Sequence, residues 1–207
     1  MPERKRRAAR KKKAEEFERA RVEIENESVN DVSAREVRIR QGGLRDIKKA
    51  DTVEITMGGA NAVDAKAVAV TMGGIVQANA ENLTVQMGGV VRAESESAQF
   101  TQSMVGVAQS DKIEMTQSVA VVVTGADITM QAAGSQYMLA RESIHVEQGG
   151  AIVMAAPRIE IDNGIVGFVV AREVHGNVRA LFDQRGALVF GIAAGIVMGL
   201  LARSRRR

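Results

Sequence analysis

The amino-acid sequence predicts an all-β fold: a parallel β-helix, or β-solenoid, built of about nine or ten 15-residue coils. Three observations support this prediction. A 15-residue pattern recurs through most of the chain, buried and exposed positions alternate within each repeat, and aromatic residues make up only 3% of the composition. A narrow solenoid interior suits small aliphatic side chains, whereas a sandwich or a helical bundle of 207 residues usually fills its core with rings.

The repeat is clearest in three phrases, V-E-I-T-M-G-G at Val53–Gly59, V-A-V-T-M-G-G at Val68–Gly74 and L-T-V-Q-M-G-G at Leu83–Gly89. We number each unit from its first apolar residue, which is position 1. Successive units follow one another at a 15-residue interval, except at two places where a 16-residue interval occurs. Position 1 is occupied by Val37, Val53, Val68, Leu83, Ala98, Ile113, Ile128, Ile144, Ile159 and Val174.

The columns of the repeat predict which side chains face inward. Position 3 is apolar in each unit from Ile39 to Ile161, while positions 2 and 4 are mostly Glu, Thr, Gln and Asp. This alternation is typical of a strand with one buried face. Positions 11 and 13 repeat as Ala, Val, Met, Ser or Gly, so each coil sends about five side chains inward. At the spacing of parallel strands, the stack forms a rod roughly 45 Å long.

Glycine pairs occupy positions 6 and 7 in several units and predict tight bends. They are not phosphate-binding loops, because they recur once per coil and lack the Lys-Ser/Thr that follows such a loop. Between Ala98 and Val123 the pair is lost, and the sequence there reads Gln102-Ser103-Met104 and Gln117-Ser118-Val119. We therefore expect these corners to be built differently, with glutamines that hydrogen-bond between coils and a corner available for lateral contact.

The predicted domain organisation has five segments: a charged arm at 1–30, helical or disordered, the solenoid at 31–177, a connector at 178–185, a transmembrane helix at 186–202 and a basic tail at 203–207. Residues 1–13 carry +7 and residues 203–207 carry +4, so the net charge of +3 leaves −8 for residues 14–202. The basic arm predicts contact with anionic lipid or with nucleic acid such as ribosomal RNA, and a solvated arm without a partner is the third interpretation. Its basic residues are Arg4, Lys5, Arg6, Arg7, Arg10, Lys11, Lys12 and Lys13.

The uncharged segment Gly186–Ala202 would span about 26 Å as a helix, the lower limit for a bilayer. The alternative is an apolar helix that caps the end of the rod. Gly191, Gly195 and Gly199 lie on one face of this helix and predict close helix pairing. In this prediction, four arginines follow the transmembrane helix and flank the membrane at its C-terminal end: Arg203, Arg205, Arg206 and Arg207.

Two signals in the sequence disagree about membrane topology. The terminal arginines would prefer the cytoplasm, which would place the rod outside. However, Met1–Lys13 is not followed by the apolar stretch of a secretion signal. We give the missing signal more weight and expect a single-pass protein of the inner, cytoplasmic membrane with its solenoid in the cytoplasm.

The composition disfavours most enzyme classes. The chain has no cysteine and only two histidines, which excludes disulfides, thiolate metal sites and cysteine nucleophiles. His145, Glu160 and His175 share position 2 in three successive coils, a geometry that a surface metal or acid–base site could use. A solvated face is the more common explanation of such a column. We predict a protein that is not an enzyme and has no cofactor, metal or small-molecule substrate.

The pattern from Val37 to Val174 resembles the bactofilins, bacterial proteins built on a small parallel β-helix. This resemblance implies end-to-end polymerisation and attachment to membranes. The tail resembles those of small bacterial tail-anchored proteins that end in a glycine-zipper helix closed by arginines, which implies an inner-membrane anchor. The prediction is therefore a membrane-anchored scaffold rod that forms homo-oligomers or polymers. The alternative is a rigid, membrane-tethered binding module that presents its basic arm to ribosomes, nucleic acid or a protein partner.

Overall fold

The computed structural model describes residues 21–25 and 28–180, which form a parallel β-solenoid of about ten coils. The described strands form one sheet that follows chain order, apart from β2, which pairs with β4. The strand pairings are parallel, so the predicted fold class is confirmed. The strands are β1 (Arg21–Glu25), β2 (Ser28–Val32), β3 (Glu36–Arg40), β4 (Gly43–Thr56), β5 (Gly59–Thr71), β6 (Gly74–Gln86), β7 (Gly89–Thr101), β8 (Met104–Thr116), β9 (Val119–Gln131), β10 (Ala133–Ala155), β11 (Arg158–Val170) and β12 (Glu173–Ala180).

Each central coil is one bent strand of 13 residues, closed by two further residues at a corner. Side chains at positions 1, 3, 8, 11 and 13 point inward. Positions 9 and 10, and again 14 and 15, are two successive residues that both face outward. A strand can do this only where it bends, because its side chains otherwise alternate. Together with the corner at positions 5 and 6, these two bends give the rod three sides.

The core consists of columns of equivalent residues stacked in register. The position 1 residues predicted from sequence pair with one another from Val37 to Val174. From Val37 to Ile159 they are at most 1% exposed. Phe100 is the one aromatic ring in the core of the described residues, which confirms that the interior is aliphatic. Each fully buried valine or isoleucine contributes about 1.5–3 kcal/mol, so stability is distributed along the whole rod.

The two 16-residue intervals are absorbed as local irregularities of the ladder. The register shifts between Ile47 and Ala50 in one coil and between Ala140 and Ser143 in the other. In the first, Lys49 takes a positive φ of 58°. One extra residue at these bends leaves position 1 in register on both sides, as expected for a β-bulge.

The solenoid extends beyond both predicted boundaries. Val22 and Ile24 of β1 pair with Val37 and Ile39, although they lie in the range 1–30 that the sequence assigned to the arm. Strand β12 runs to Ala180, inside the predicted connector. The remaining arm, the transmembrane helix at 186–202 and the basic tail lie outside the described residues. Within the described part of the chain, no helix is long and apolar enough to cross a membrane.

The two residues of the corner, at positions 5 and 6, meet different constraints: the first has a strained backbone φ, and the second has no space for a side chain. Position 5 takes a positive φ in successive coils, 53° at Met57 and 54° at Met72, where glycine would be expected. The glycine stands at position 6 instead, because a Cβ on Gly73 would overlap the carbonyl oxygen of Gly58 in the preceding coil. The glycine pairs therefore do mark bends, but close contact between coils explains the first glycine.

The corners without glycine pairs keep the positive φ and the amide hydrogen bond of position 5. Gln102 and Gln117 have φ of 50°, and the amide of Gln102 donates to the Thr116 carbonyl over 3.0 Å, as Met72 does to Gln86. The expected glutamine hydrogen bond is confirmed: Gln102 Nε2 donates to Gln117 Oε1 over 3.2 Å. The difference lies in the side chains at position 6, where buried Ser103 and Ser118 replace glycine.

Candidate functional site: the surfaces of the rod

The polar side of the rod is formed by positions 2 and 4, the outward residues between the position 1 and position 3 columns. On this side, residues at the same position in adjacent coils form ion pairs and hydrogen bonds: Arg38 lies 3.1 Å from Glu54, and Gln99 donates to Glu114 over 2.8 Å. These groups are in contact with water, so each such pair contributes at most about 1 kcal/mol. The polar side is therefore a solvated surface with complementary neighbours.

The predicted column of His145, Glu160 and His175 exists. The three residues are paired in register, and His145 Nδ1 lies 3.3 Å from a Glu160 carboxylate oxygen. Within the described residues, no three His, Cys, Asp or Glu side chains converge closely enough to hold a metal ion. When His145 is protonated, its contact with Glu160 is a surface ion pair.

A shallow groove runs along positions 12–14, beside the bend at positions 14 and 15. Small residues at position 13 form its floor. One stretch of about 830 Å³ includes Ser95 and Ser110, whose hydroxyls are 2.5 Å apart. Arg141 reaches Asp111 two coils away, with 2.5 Å between Nη2 and Oδ1, beside this stretch. The lining contains neither histidine nor cysteine, so the groove offers hydrogen bonds and charge for binding and no imidazole or thiol for catalysis.

The groove continues toward the N-terminal coils as a stretch of about 500 Å³ with charged walls. There Lys66 Nζ lies 2.8 Å from Asp51 Oδ1. The hydrogen bond and the charge of Lys66 hold the pKa of the Asp51 carboxyl below its ordinary value of 3.8, and Asp51 in turn raises the pKa of Lys66 above 10.5. Both groups are in water, so this pair fixes local geometry more than stability.

The third surface, the apolar side, is formed by positions 7, 9 and 10 of the five coils between Met104 and Phe168. All fifteen of these positions are uncharged. Met104 is 72% exposed, and Val119 and Ile165 are each 58% exposed. The fifteen residues are Met104, Gly106, Val107, Val119, Val121, Val122, Gly134, Gln136, Tyr137, Gly150, Ile152, Val153, Ile165, Gly167 and Phe168.

The same columns in the N-terminal coils carry Arg45, Asp46 and Arg92, so the apolar side belongs to the C-terminal half of the rod. The predictions from sequence did not include it. The signal was available, because position 10 is Val107 and Val122 in two successive coils where an outward residue should be polar. The surface was missed because position 8, the buried column between positions 7 and 9, had not been recognised. Without that column, the sequence did not show whether positions 7, 9 and 10 face inward or outward.

The two ends of the described rod differ in how well their core is covered. At position 1, Val22 in the first coil is partly buried, whereas Val174 in the last described coil is 47% exposed. Among the described strands, β12 pairs only with β11 and β1 pairs only with β3, so both ends of the described rod present a strand edge. A partly open core at one end and strand edges at both are features that favour association.

The site residues predicted in the two tails are not among the described residues. This applies to the basic arm from Arg4 to Lys13, to the helix glycines Gly191, Gly195 and Gly199, and to the arginines from Arg203 to Arg207. Their predicted roles in lipid, nucleic-acid and helix contacts stay predictions.

The fold and its surfaces define the chain as a parallel β-solenoid repeat protein. Comparisons with protein-family models, with curated proteins and with solved structures gave no match. The candidate functions therefore follow from the surfaces alone.

Proposed function

We propose that this chain is a non-enzymatic scaffold: a rod that joins end to end and is held at the inner membrane by its C-terminal segment. The observation that carries the proposal is the exposure of the core residue Val174, which is 47% in the last described coil. In a stacked solenoid, an unpaired terminal strand either needs a cap or accepts another strand. A second copy supplies such a strand in β1.

The charges at the two ends support this joint. Within the chain, the residue before position 1 forms ion pairs between coils: Arg21 lies 3.8 Å from Glu36, and Arg158 lies 3.7 Å from Glu173. If β1 of a second copy follows β12 in the same register, its Arg21 lies opposite Glu173. Val22 then covers Val174, and Glu23 lies opposite His175. Every one of these contacts continues a column already present in the rod.

The sequence supports the anchor. The uncharged segment 186–202 begins a few residues after β12 ends at Ala180, and arginines close the chain behind it. A helix of this length reaches across a thin or locally adjusted bilayer. The proposed arrangement holds the C-terminal end of each rod close to the cytoplasmic face of the membrane.

Negative-stain electron microscopy of the full chain in mild detergent tests the joint. We expect filaments from the wild type and particles of one rod length, roughly 50 Å, from Val174→Glu, because burying that carboxylate in the joint costs several kcal/mol. His175→Glu, one residue away but outward-facing, is the matched control and should weaken the joint much less. Flotation with vesicles tests the anchor, since Ile196→Asp should release the chain.

A charge exchange makes the test specific for the proposed register. Glu173→Arg should shorten the filaments, and adding Arg21→Glu in the same chain should restore part of their length. Wild-type rods that stay single at all concentrations, or filaments unchanged by Val174→Glu, would contradict end-to-end joining.

A further inference from the structure

From the apolar side we infer a second contact: two copies of this chain pair laterally, apolar side against apolar side. This inference does not depend on end-to-end joining, because the surface involved lies along the rod and away from both β1 and β12. It assigns a second copy of the chain as the partner of the apolar side, a surface that the proposed function does not use.

The size of the apolar side is the first argument. Eight large side chains on it are at least 40% exposed: Met104, Val107, Val119, Val121, Tyr137, Ile152, Ile165 and Phe168. The largest apolar patch of most monomers is about 300–600 Å² and is often functional, and each partner in a standard interface buries about 800 Å². Eight such side chains on one side of five coils therefore supply the apolar centre that a stable dimer requires.

The shape of the apolar side is the second argument. Large side chains alternate with glycines on it, so Val121 and Ile152 project beside Gly134, Gly150 and Gly167. Between them lies a hollow of about 470 Å³. In two copies the coils repeat at the same spacing, so the projecting side chains of one copy can enter the glycine hollows of the other. A surface with this pattern is complementary to itself, as a two-fold symmetric interface requires.

Charge is the third argument and selects a second copy as the occupant. Residues 14–202 carry a net charge of −8, so two rods repel each other through most of their surfaces. The apolar side is free of charge over five coils, and pairing there buries no unpaired ion. Anionic lipid is a poorer occupant, because none of the fifteen residues supplies a basic group to its headgroups.

The experiment must separate this contact from end-to-end joining and from pairing of the C-terminal segment, so it uses the full chain with Val174→Glu, which blocks the end joint, and with Gly191→Ile and Gly195→Ile, which block close helix approach. In mild detergent, analytical ultracentrifugation should show a dimer of this background. Adding Val121→Glu and Ile152→Glu should weaken that dimer at least ~100-fold, because four carboxylates enter the interface. The matched control, Gln86→Glu with Thr129→Glu on the polar side, should leave the dimer unchanged.

Cross-linking provides a readout without added charge. Because the chain has no cysteine, single variants report unambiguously on position. A bismaleimide with a spacer of about 10 Å, the distance between packed sheets, should link Val121→Cys or Ile152→Cys into covalent dimers and leave Thr129→Cys monomeric. Thermal melting of each variant checks that the rod is folded.

Three results would overturn lateral pairing: a monomeric background at tens of micromolar, a dimer that survives both glutamates, or equal cross-linking on the polar side. If Val174→Glu alone dimerises and the background with the added glycine substitutions does not, the C-terminal segment makes the dimer, and the inference also fails. End-to-end joining is tested separately by the filaments, which Val174→Glu should abolish while it leaves lateral dimers intact.

Discussion

Coils that turn on glycine and coils that turn on serine share the same positive φ and the same amide hydrogen bond at position 5 of the corner. In the first group, represented by Gly73, the neighbouring carbonyl leaves no room for a Cβ. In the second group, Ser118 has a Cβ and a hydroxyl at the same place and is 1% exposed. Its Oγ lies 2.9 Å from the Thr116 carbonyl and 3.1 Å from the Phe100 carbonyl, and it accepts the Ser103 amide over 3.1 Å.

This comparison shows which part of the corner determines its shape. The positive φ at position 5 and the amide hydrogen bond to the next coil are common to both groups. Position 6 has to fit against the preceding coil, either by lacking a side chain or by placing its hydroxyl against the position 3 carbonyl of that coil, as Ser118 does with Phe100. Both residues therefore serve this corner, and Ser103 does so directly above the glycine corner of Gly88, with its Oγ 3.0 Å from the Val85 carbonyl.

The largest expected effect comes from giving a glycine corner a side chain. Gly73→Ala should lower the free energy of unfolding by about 2–3 kcal/mol, because its Cβ meets backbone that must move. The control is the adjacent Gly74→Ala, whose Cβ would lie 3.7 Å from the Gly89 carbonyl oxygen and should cost much less. Urea unfolding followed by circular dichroism measures both. Equal costs at the two positions would contradict the crowding explanation.

A smaller effect is expected from removing the hydroxyl of a serine corner. Ser118→Ala should cost about 1–2 kcal/mol, because the buried Ser103 amide loses its acceptor and two carbonyls lose a donor. Thr129→Ala on the exposed polar side serves as the control and should change stability little. If the two substitutions are equivalent in urea unfolding, the serine hydroxyl does not stabilise the corner.

The smallest effect belongs to the exposed bend at position 14, where Lys66 pairs with Asp51. The lowered pKa of Asp51 contributes stability above pH 3.8 that is lost as pH falls through its folded value, and the raised pKa of Lys66 contributes stability below pH 10.5 that is lost as pH rises through its folded value. Lys66→Met should therefore be less stable than the wild type at pH 7, and the difference should shrink toward both extremes. In an Asp51→Asn background the same substitution should lose this pH dependence; a difference that persists there would assign it to another group.

The repeat made most of the fold predictable from sequence. Position 1 and position 3 are apolar in nearly every unit, so the registers from Val37 to Val174 follow from the sequence alone. The first coil was missed although V-E-I at Val22–Ile24 has the same alternation one repeat length before Val37. The surrounding charges obscured it, because one short strand among arginines and glutamates resembles a helical arm.

The surfaces were harder to predict than the core. Inward columns repeat because the interior is confined, whereas outward residues are free to differ from coil to coil. Val107 and Val122 become an apolar surface only once Val105 and Ala120 are known to point inward beside them. Alternation cannot supply that knowledge at a bend, where two successive residues face the same way.

The two 16-residue coils have a consequence for folding. A rod of identical coils would tolerate a slip of one full coil during assembly, because every column would still match its neighbour. The extra residues before Ala50 and before Ser143 remove this equivalence, because a chain slipped by one coil would carry each of them to a different coil of the stack. We therefore expect the two irregularities, which lie near opposite ends of the described rod, to favour the correct alignment over its slipped alternatives.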